Sequence, residues 1–341
     1  MELETAQLLW YVVFITSIFA YAALDGFDLG VGCLHLFANN ETDRRIFLNA
    51  IGPVWDSNSL WVVITGGVLL SGFPPAFAGL LSALYIPMMI LIFCFTYRAC
   101  ALEFRSKIVS PKWRSFWDVV FSIASFGMAF GLGVVTANLI KGIPIDATGD
   151  FVRDLSALFS PYAILVGFFI ILLFMLHGSL YLTLKTSGPL HERLRAWNMR
   201  ILFIFVLFWV IINVITPLYE PQVTHFMQEK PAFYPFALIG LLGIAALYYC
   251  LKKERDGWAF ISSIIIILSL VLLYALGSYP NLARSSLDPS FSLTIYNASS
   301  SLFTLKILLG MACAGIPLFL LYLSYAYKIF RGKVELDTMS Y

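Results

Sequence analysis

Nine runs of mostly apolar residues, most of them 20 or longer, constrain this chain more than any other feature. A helix needs about 20 residues to cross roughly 30 Å of hydrocarbon, and only helices or closed barrels can satisfy their backbone there. The runs fall at about 7–36, 50–72, 75–102, 113–141, 160–186, 193–216, 232–252, 257–278 and 302–330. They lack the ten-residue alternation of a transmembrane barrel. Of the 341 residues, 60% are hydrophobic and 12% charged, against about 25% charged in soluble domains. Mean hydropathy is +0.84. The expected fold is all-α and polytopic, one integral-membrane domain over 1–341, since no connection is long enough for a soluble domain. The longest, about 279–301, is polar and Ser-rich.

Within this pattern, Gly72-Phe73-Pro74-Pro75 marks the turn between the second and third spans, because proline stops one helix and starts the next. Pro87 and Pro317 fall inside spans, where kinks are tolerated if neighbours satisfy the freed carbonyls. Lys and Arg are biased to one side. Seventeen of the 22, from Arg44 and Arg45 to Lys328, Arg331 and Lys333, lie beside the odd-to-even connections and the C-terminus. Lys141, Arg153, Lys230, Arg284 and Lys306 lie on the other side. This places the N-terminus outside and the C-terminus in the cytoplasm. The net charge of +2 follows from that bias and does not point to nucleic acid. The first span has no basic flank or small-residue cleavage site, so it reads as a span and not a signal peptide. The five cysteines sit in or beside spans without CxxC spacing and read as reduced packing residues.

Four carboxylates at membrane depth or at span mouths are the functional signal: Asp25, Asp28, Asp56 and Asp118. Such groups cost a few kcal/mol to insert and need a partner, a proton or a function. With the first span ending near Leu36, Asp28 lies about 12 Å and Asp25 about 17 Å from its inner end. Three residues apart, they share a helix face. Asp56 and Asp118 lie in the first turns of spans entering from the inner side. Together the four could form a ladder from the cytoplasm to about mid-membrane, as a proton relay requires. The ordinary alternatives are first-turn acids at a helix dipole for Asp56 and Asp118, and a structural hydrogen-bonded pair for Asp25 and Asp28. Gly26, Gly30, Gly32, Gly66 and Gly67 read as close-packing positions; no lysine follows at phosphate-loop spacing. Of His35, His177, His191 and His225, only His177 lies well inside a span, where an interhelical hydrogen bond is favoured over haem ligation. Trp10, Tyr11, Trp113 and Trp117 suit interfacial belts. Nothing resembles a Ser/His/Asp site, a zinc motif or a nucleotide fold.

Six blocks together resemble subunit II of the cytochrome bd-type quinol oxidases, including the cyanide-insensitive variants. They are LDGFDLGVG (24–32), ETDRRIFLNAIGPVWDSNSLWVVITGG (41–67), YRACALEFRSK (97–107), WRSFWD (113–118), HGSLYLTLKTSGPLHER (177–193) and IFRGKV (329–334). They reach from the first span to the last, and the GPVWDxNxxWxxxxGG stretch is the most specific.

The resemblance implies two four-helix bundles plus a peripheral helix. It also implies a heterodimer in a bacterial cytoplasmic (inner) membrane with subunit I, which carries two haems b and one haem d and binds quinol. This chain would bind no haem, would assist the haem subunit, and would contribute to delivery of cytoplasmic protons for reduction of dioxygen to water. Small single-helix subunits and a structural quinone are compatible with it. By motif position Asp56 is the proton-route candidate, with Asp25 beside it. Asp28, Trp55, Arg98 and Asp118 fall at positions supporting stability or haem assembly. The alternative from another class is a proton-coupled secondary transporter, which predicts interrupted spans in both halves; no second Asp-rich helix follows residue 160.

Overall fold

The computed structural model describes residues 1–146, 158–219, 231 and 233–336. Arg153, His225, Lys230 and the first residue of the expected seventh span lie outside them. Eight helices are long and apolar enough to cross a membrane. They are α1 (Leu3–Leu34), α5 (Tyr85–Phe104), α6 (Pro111–Lys141), α7 (Pro161–Lys185), α8 (Gly188–Tyr219), α9 (Phe233–Lys252), α10 (Asp256–Ser278) and α11 (Leu302–Ile329). Three shorter helices, α2 (Glu41–Ile51), α3 (Trp55–Gly72) and α4 (Pro74–Ala83), fill the interval between α1 and α5.

The second expected span is α3, 18 residues long and so about 27 Å of rise. Its first turns read Trp-Asp-Ser-Asn-Ser, and that polar stretch later proves to be half of a buried site. The expected start at 50 belongs instead to α2, a separate amphipathic helix that breaks at Gly52-Pro53. Asn40 caps α2 by accepting from the Asp43 amide at 2.8 Å. The third expected span is broken at Leu84 into α4 and α5. Pro87 explains the break: it has no N–H for the Ala83 carbonyl, and its ring crowds that oxygen.

α1 is the hub. It packs on α3, α6, α7, α10 and α11. One group of helices is α1, α3, α5 and α6; a second is α7 to α10, joined to the first through α1–α7 and α6–α7 contacts. α11 lies outside both, with only Leu305 and Leu323 buried. The α1–α7 crossing is backbone on backbone. A Cβ added at Gly178 would lie 2.6 Å from the Val31 nitrogen and 2.7 Å from the Gly30 carbonyl carbon. Gly26, Gly30 and Gly32 therefore pack as expected, whereas Gly66 and Gly67 meet nothing within 4 Å.

At one end, Asn281–Ala283 and Leu293–Thr294 form a short antiparallel hairpin, pairing Asn281 with Thr294. The Ile143 amide donates to the Arg284 carbonyl at 2.8 Å, tying the end of α6 to this loop. At the other end the chain after α11 folds back on α7: the Val334 amide donates to the Lys185 carbonyl at 2.8 Å. Trp10 and Tyr11 are buried and bridge helices, Trp10 donating to the Val68 carbonyl (3.0 Å) and Tyr11 to that of Ala275 (2.8 Å). The interfacial-belt expectation fails for both, because each ring's polar atom finds a carbonyl on a neighbouring helix.

Candidate functional site: two buried ionic clusters

Asp25 and Asp28 project from one face of α1 onto the polar first turns of α3. Ser59 Oγ donates to Asp25 Oδ1 at 2.8 Å, and Asn58 Nδ2 donates to Asp28 Oδ2 at 2.8 Å. Arg98, from α5, closes on Asp25 in fork geometry, Nη2 to Oδ1 at 2.6 Å and Nη1 to Oδ2 at 3.2 Å. Arg98 Nη2 also contacts Ser59 Oγ. Tyr327 of α11 donates to Asn58 Oδ1 at 2.9 Å. That bond fixes the amide's orientation, so its NH2 must face Asp28. Asp25, Asp28, Asn58, Ser59 and Arg98 are all at most 1% exposed. Two carboxylates share one guanidinium, and Arg98 commits both terminal nitrogens to Asp25. Asp28 Oδ1 is left buried with no hydrogen-bond partner. A carboxyl in that position can hold or release a proton without breaking an ion pair.

Asp118 belongs to a second cluster, at the basic end. His35 Nε2 donates to its Oδ1 at 2.6 Å and Arg105 Nε to the same oxygen at 2.5 Å. Arg44 Nη1 reaches Oδ2 at 3.0 Å. Arg105 and Arg114 both grip Glu41, at 2.8 and 3.1 Å. Asp118 is thus a fully engaged structural anion, joining the end of α1 to α2, α5 and α6.

Asp56 differs from the other three. It is exposed on the first turn of α3, and no described side chain bonds to it. Trp55 beside it is half-buried against the main core. The four acids therefore do not make one ladder. Asp25 and Asp28 are a pair, Asp118 is an anchor elsewhere, and Asp56 faces out of the chain.

The charge bias reads Arg105 and Arg44 only as orientation charges, the resemblance gives Arg98 a supporting place, and neither assigns a role to Asn58, Ser59, Glu41, His35 or Tyr327. The signal available was the polar run Asp56-Ser57-Asn58-Ser59 at the head of α3, where a lipid-facing turn would be apolar.

His177 is fully buried. Its Nε2–H donates to the Ala23 carbonyl at 2.9 Å, its Nδ1 pairs with Ser263 Oγ at 2.7 Å, and its ring stacks on Phe260 at 4.7 Å. The nitrogens of His191 face the Thr183 carbonyl (3.0 Å) and Asp256 (3.4 Å), and Nε2 of His35 is held by Asp118. Five of the six ring nitrogens of these described histidines face protein partners, and the sixth, Nδ1 of His35, is buried without one on a ring held by Asp118. An apolar cleft of about 310 Å³ lies among α6 to α10, walled by Phe169, Trp209, Ile212 and Leu270, with Tyr162 and Asn213 among its polar atoms.

These features define a polytopic α-helical membrane subunit whose charges are gathered into buried, interhelical clusters. Residues 6–330 match the family described as cytochrome bd terminal oxidase subunit II, and the chain belongs to that family. It is accordingly one component of a membrane terminal oxidase, which replaces the transporter alternative. It is 31% identical over 329 residues to the cytochrome bd ubiquinol oxidase subunit 2 of Bacillus subtilis (strain 168), covering 96% of each chain. It is 27% identical to the cytochrome bd-I ubiquinol oxidase subunit 2 of Escherichia coli (strain K12), covering 98% of this chain and 96% of that one. In fold it is similar to a chain of the bd oxidase from Geobacillus thermodenitrificans, with a TM-score of 0.79 at 20% identity. That match covers 96% of this chain and 98% of the other.

Proposed function

We propose that this chain is the non-haem subunit II of a quinol:oxygen oxidoreductase in a bacterial inner membrane, with its basic end in the cytoplasm. It supports a haem-bearing subunit I and passes cytoplasmic protons toward the site where dioxygen is reduced to water. Haems b and d, held by subunit I, supply the electron transfer and oxygen chemistry. The apolar cleft among α6 to α10 suits the isoprenoid tail of a structural quinone. This chain's own work is to hold helices together and to hold or move protons.

The observation that carries the proton role is the placement of Asp56. It alone of the four acids faces outward without a partner, at the head of α3, where a proton can be handed to a second subunit. The geometry also divides the buried pair. Asp25, clamped by Arg98, is the structural member, and Asp28, with a free oxygen, is the exchangeable one. Motif position alone suggests the opposite division, with Asp25 beside Asp56 on the route and Asp28 in support. The test is Asp56→Asn in the assembled complex. Quinol-driven oxygen uptake is expected to fall several-fold with haem content unchanged. Wild-type turnover in an assembled variant would refute the proton role.

A further inference from the structure

The basic-end cluster has an imbalance that its structural role does not explain. Around Asp118 and Glu41 stand three guanidinium groups, Arg44, Arg105 and Arg114, so donors exceed acceptors. Asp118 already accepts from His35, Arg105 and Arg44, and Glu41 from Arg105 and Arg114. Arg105 Nη1, Arg44 Nε and Arg114 Nε are nevertheless buried without an acceptor. Arg105 is 1% exposed, so its orphaned nitrogen cannot turn to bulk water. A buried donor left unmet costs about 1–3 kcal/mol, more for a charged group.

Beside these groups lies an open cavity of about 440 Å³, walled by Arg44, Arg114, Ser110, Ser115 and the two carboxylates. The helices α2 and α6 both begin at its wall, Asn40 and Ser110 being their N-caps, and the Ser110 side chain does not cap α6. The wall itself carries two guanidiniums and two carboxylates; Arg105, bonded to both carboxylates from behind the wall, tips the cluster to a net excess of one guanidinium, and the two positive helix ends add to it. The same helix carries an apolar stripe that begins at Phe116, the residue after Ser115 of the wall. Phe116, Val119, Ile123 and Phe126 are spaced three and four residues apart and lie on one face, and all are exposed.

We infer that this cavity holds the phosphodiester of an anionic phospholipid from the leaflet at the basic end, with an acyl chain along the α6 stripe. Arg44 and Arg114 each spend one terminal nitrogen on a carboxylate and have the other for phosphate oxygens, the pairing guanidinium geometry suits best. Basic pockets between membrane helices on this side are recurrent headgroup sites. The stripe favours a lipid over free phosphate, which has no use for an apolar wall.

The test uses the assembled oxidase, extracted from vesicles of phosphatidylcholine and phosphatidylglycerol, with bound lipids counted by native mass spectrometry. Wild type should retain one more phosphatidylglycerol than either Arg114→Gln or Ser115→Glu. Ser115 is exposed and lines the cavity, so Ser115→Glu sets a carboxylate against Arg44 and Arg114 where the phosphate would lie, while removing no residue of the cluster. In a second arm, phosphatidylglycerol but not inorganic phosphate should shield Arg44 and Arg114 from a guanidine-modifying dicarbonyl. Equal lipid counts in wild type and Ser115→Glu overturn the proposal, including the case in which subunit I fills the cavity. Shielding by inorganic phosphate alone makes it a soluble-anion site and overturns the lipid assignment.

Discussion

Replacing Arg98 by Gln removes the single cation from a pair of carboxylates that are almost wholly inaccessible. Arg98 makes two hydrogen bonds to Asp25, at 2.6 and 3.2 Å, and contacts Ser59. Unit charges 4 Å apart attract by about 4 kcal/mol at an effective dielectric of about 20. Breaking one side of a buried pair costs about 3–5 kcal/mol, because the remaining charge is stranded. The two figures agree, so Arg98→Gln should lose about that much stability, and Asp25→Asn a similar amount by stranding Arg98. The double variant Asp25→Asn/Arg98→Gln leaves only Asp28, whose carboxyl can take up a proton, and keeps amide-to-amide contact, so it should recover about 2 kcal/mol or more of the summed loss. That corresponds to roughly a 30-fold shift in the folded-to-unfolded ratio. The assay is a denaturation series on the detergent-solubilised complex, with haem spectra recorded on each sample to follow assembly. Simple additivity in the double variant, or a loss below about 1 kcal/mol in Arg98→Gln, would refute the ion-pair reasoning.

Tyr327→Phe removes the bond that orients Asn58 and should cost about 1 kcal/mol. Oxygen uptake should also fall, because the amide is free to flip away from Asp28; unchanged uptake with the complex intact would show that the orientation does not matter. Gly30→Ala forces a methyl group into the α7 backbone at Phe174 and Gly178, so α1 and α7 must separate. A loss of about 1–3 kcal/mol or more is expected. Gly257→Ala, where a Cβ meets nothing within 4 Å, is the control and should be neutral in yield and thermal stability. Equal behaviour of the two variants would mean that the crossing is loose.

Hydropathy marks the spans well because lipid imposes one rule on every residue it touches. It says little about rotation. Helices such as α7 and α10 are apolar all round, so no polar stripe reveals which face meets a neighbour. That is why Asp25 and Asp28 were legible as costly residues while their partners were not. Arg98 sits 73 residues from Asp25, and at the end of a span its charge pattern is that of a loop cation; motif position marks it as supporting but not as the partner of Asp25. Tyr327 is 269 residues from Asn58, on a helix that otherwise touches little. Asp118 reads as a wet first-turn acid until α2 and the end of α1 are seen folded over it. The breaks at Pro53 and Leu84 were half legible. Pro87 marks a kink in the sequence, but its effect depends on which carbonyl lies four residues earlier, and Pro53 stands out only once α2 and α3 are seen as separate helices.

The distance along the chain between Asp25 and Arg98 also sets a timetable for making the protein. At about 5–20 residues per second, a ribosome that has finished Asp25 needs roughly 4–15 s to reach Arg98. Throughout that interval α1 is in or near the bilayer with two acids and no cation, and Ser59 and Asn58 arrive only midway. The finished helix is tolerable to lipid because α5 has joined it. Insertion of α1 is therefore completed by α5, and a nascent chain stalled between them holds a helix that the membrane has not yet accepted.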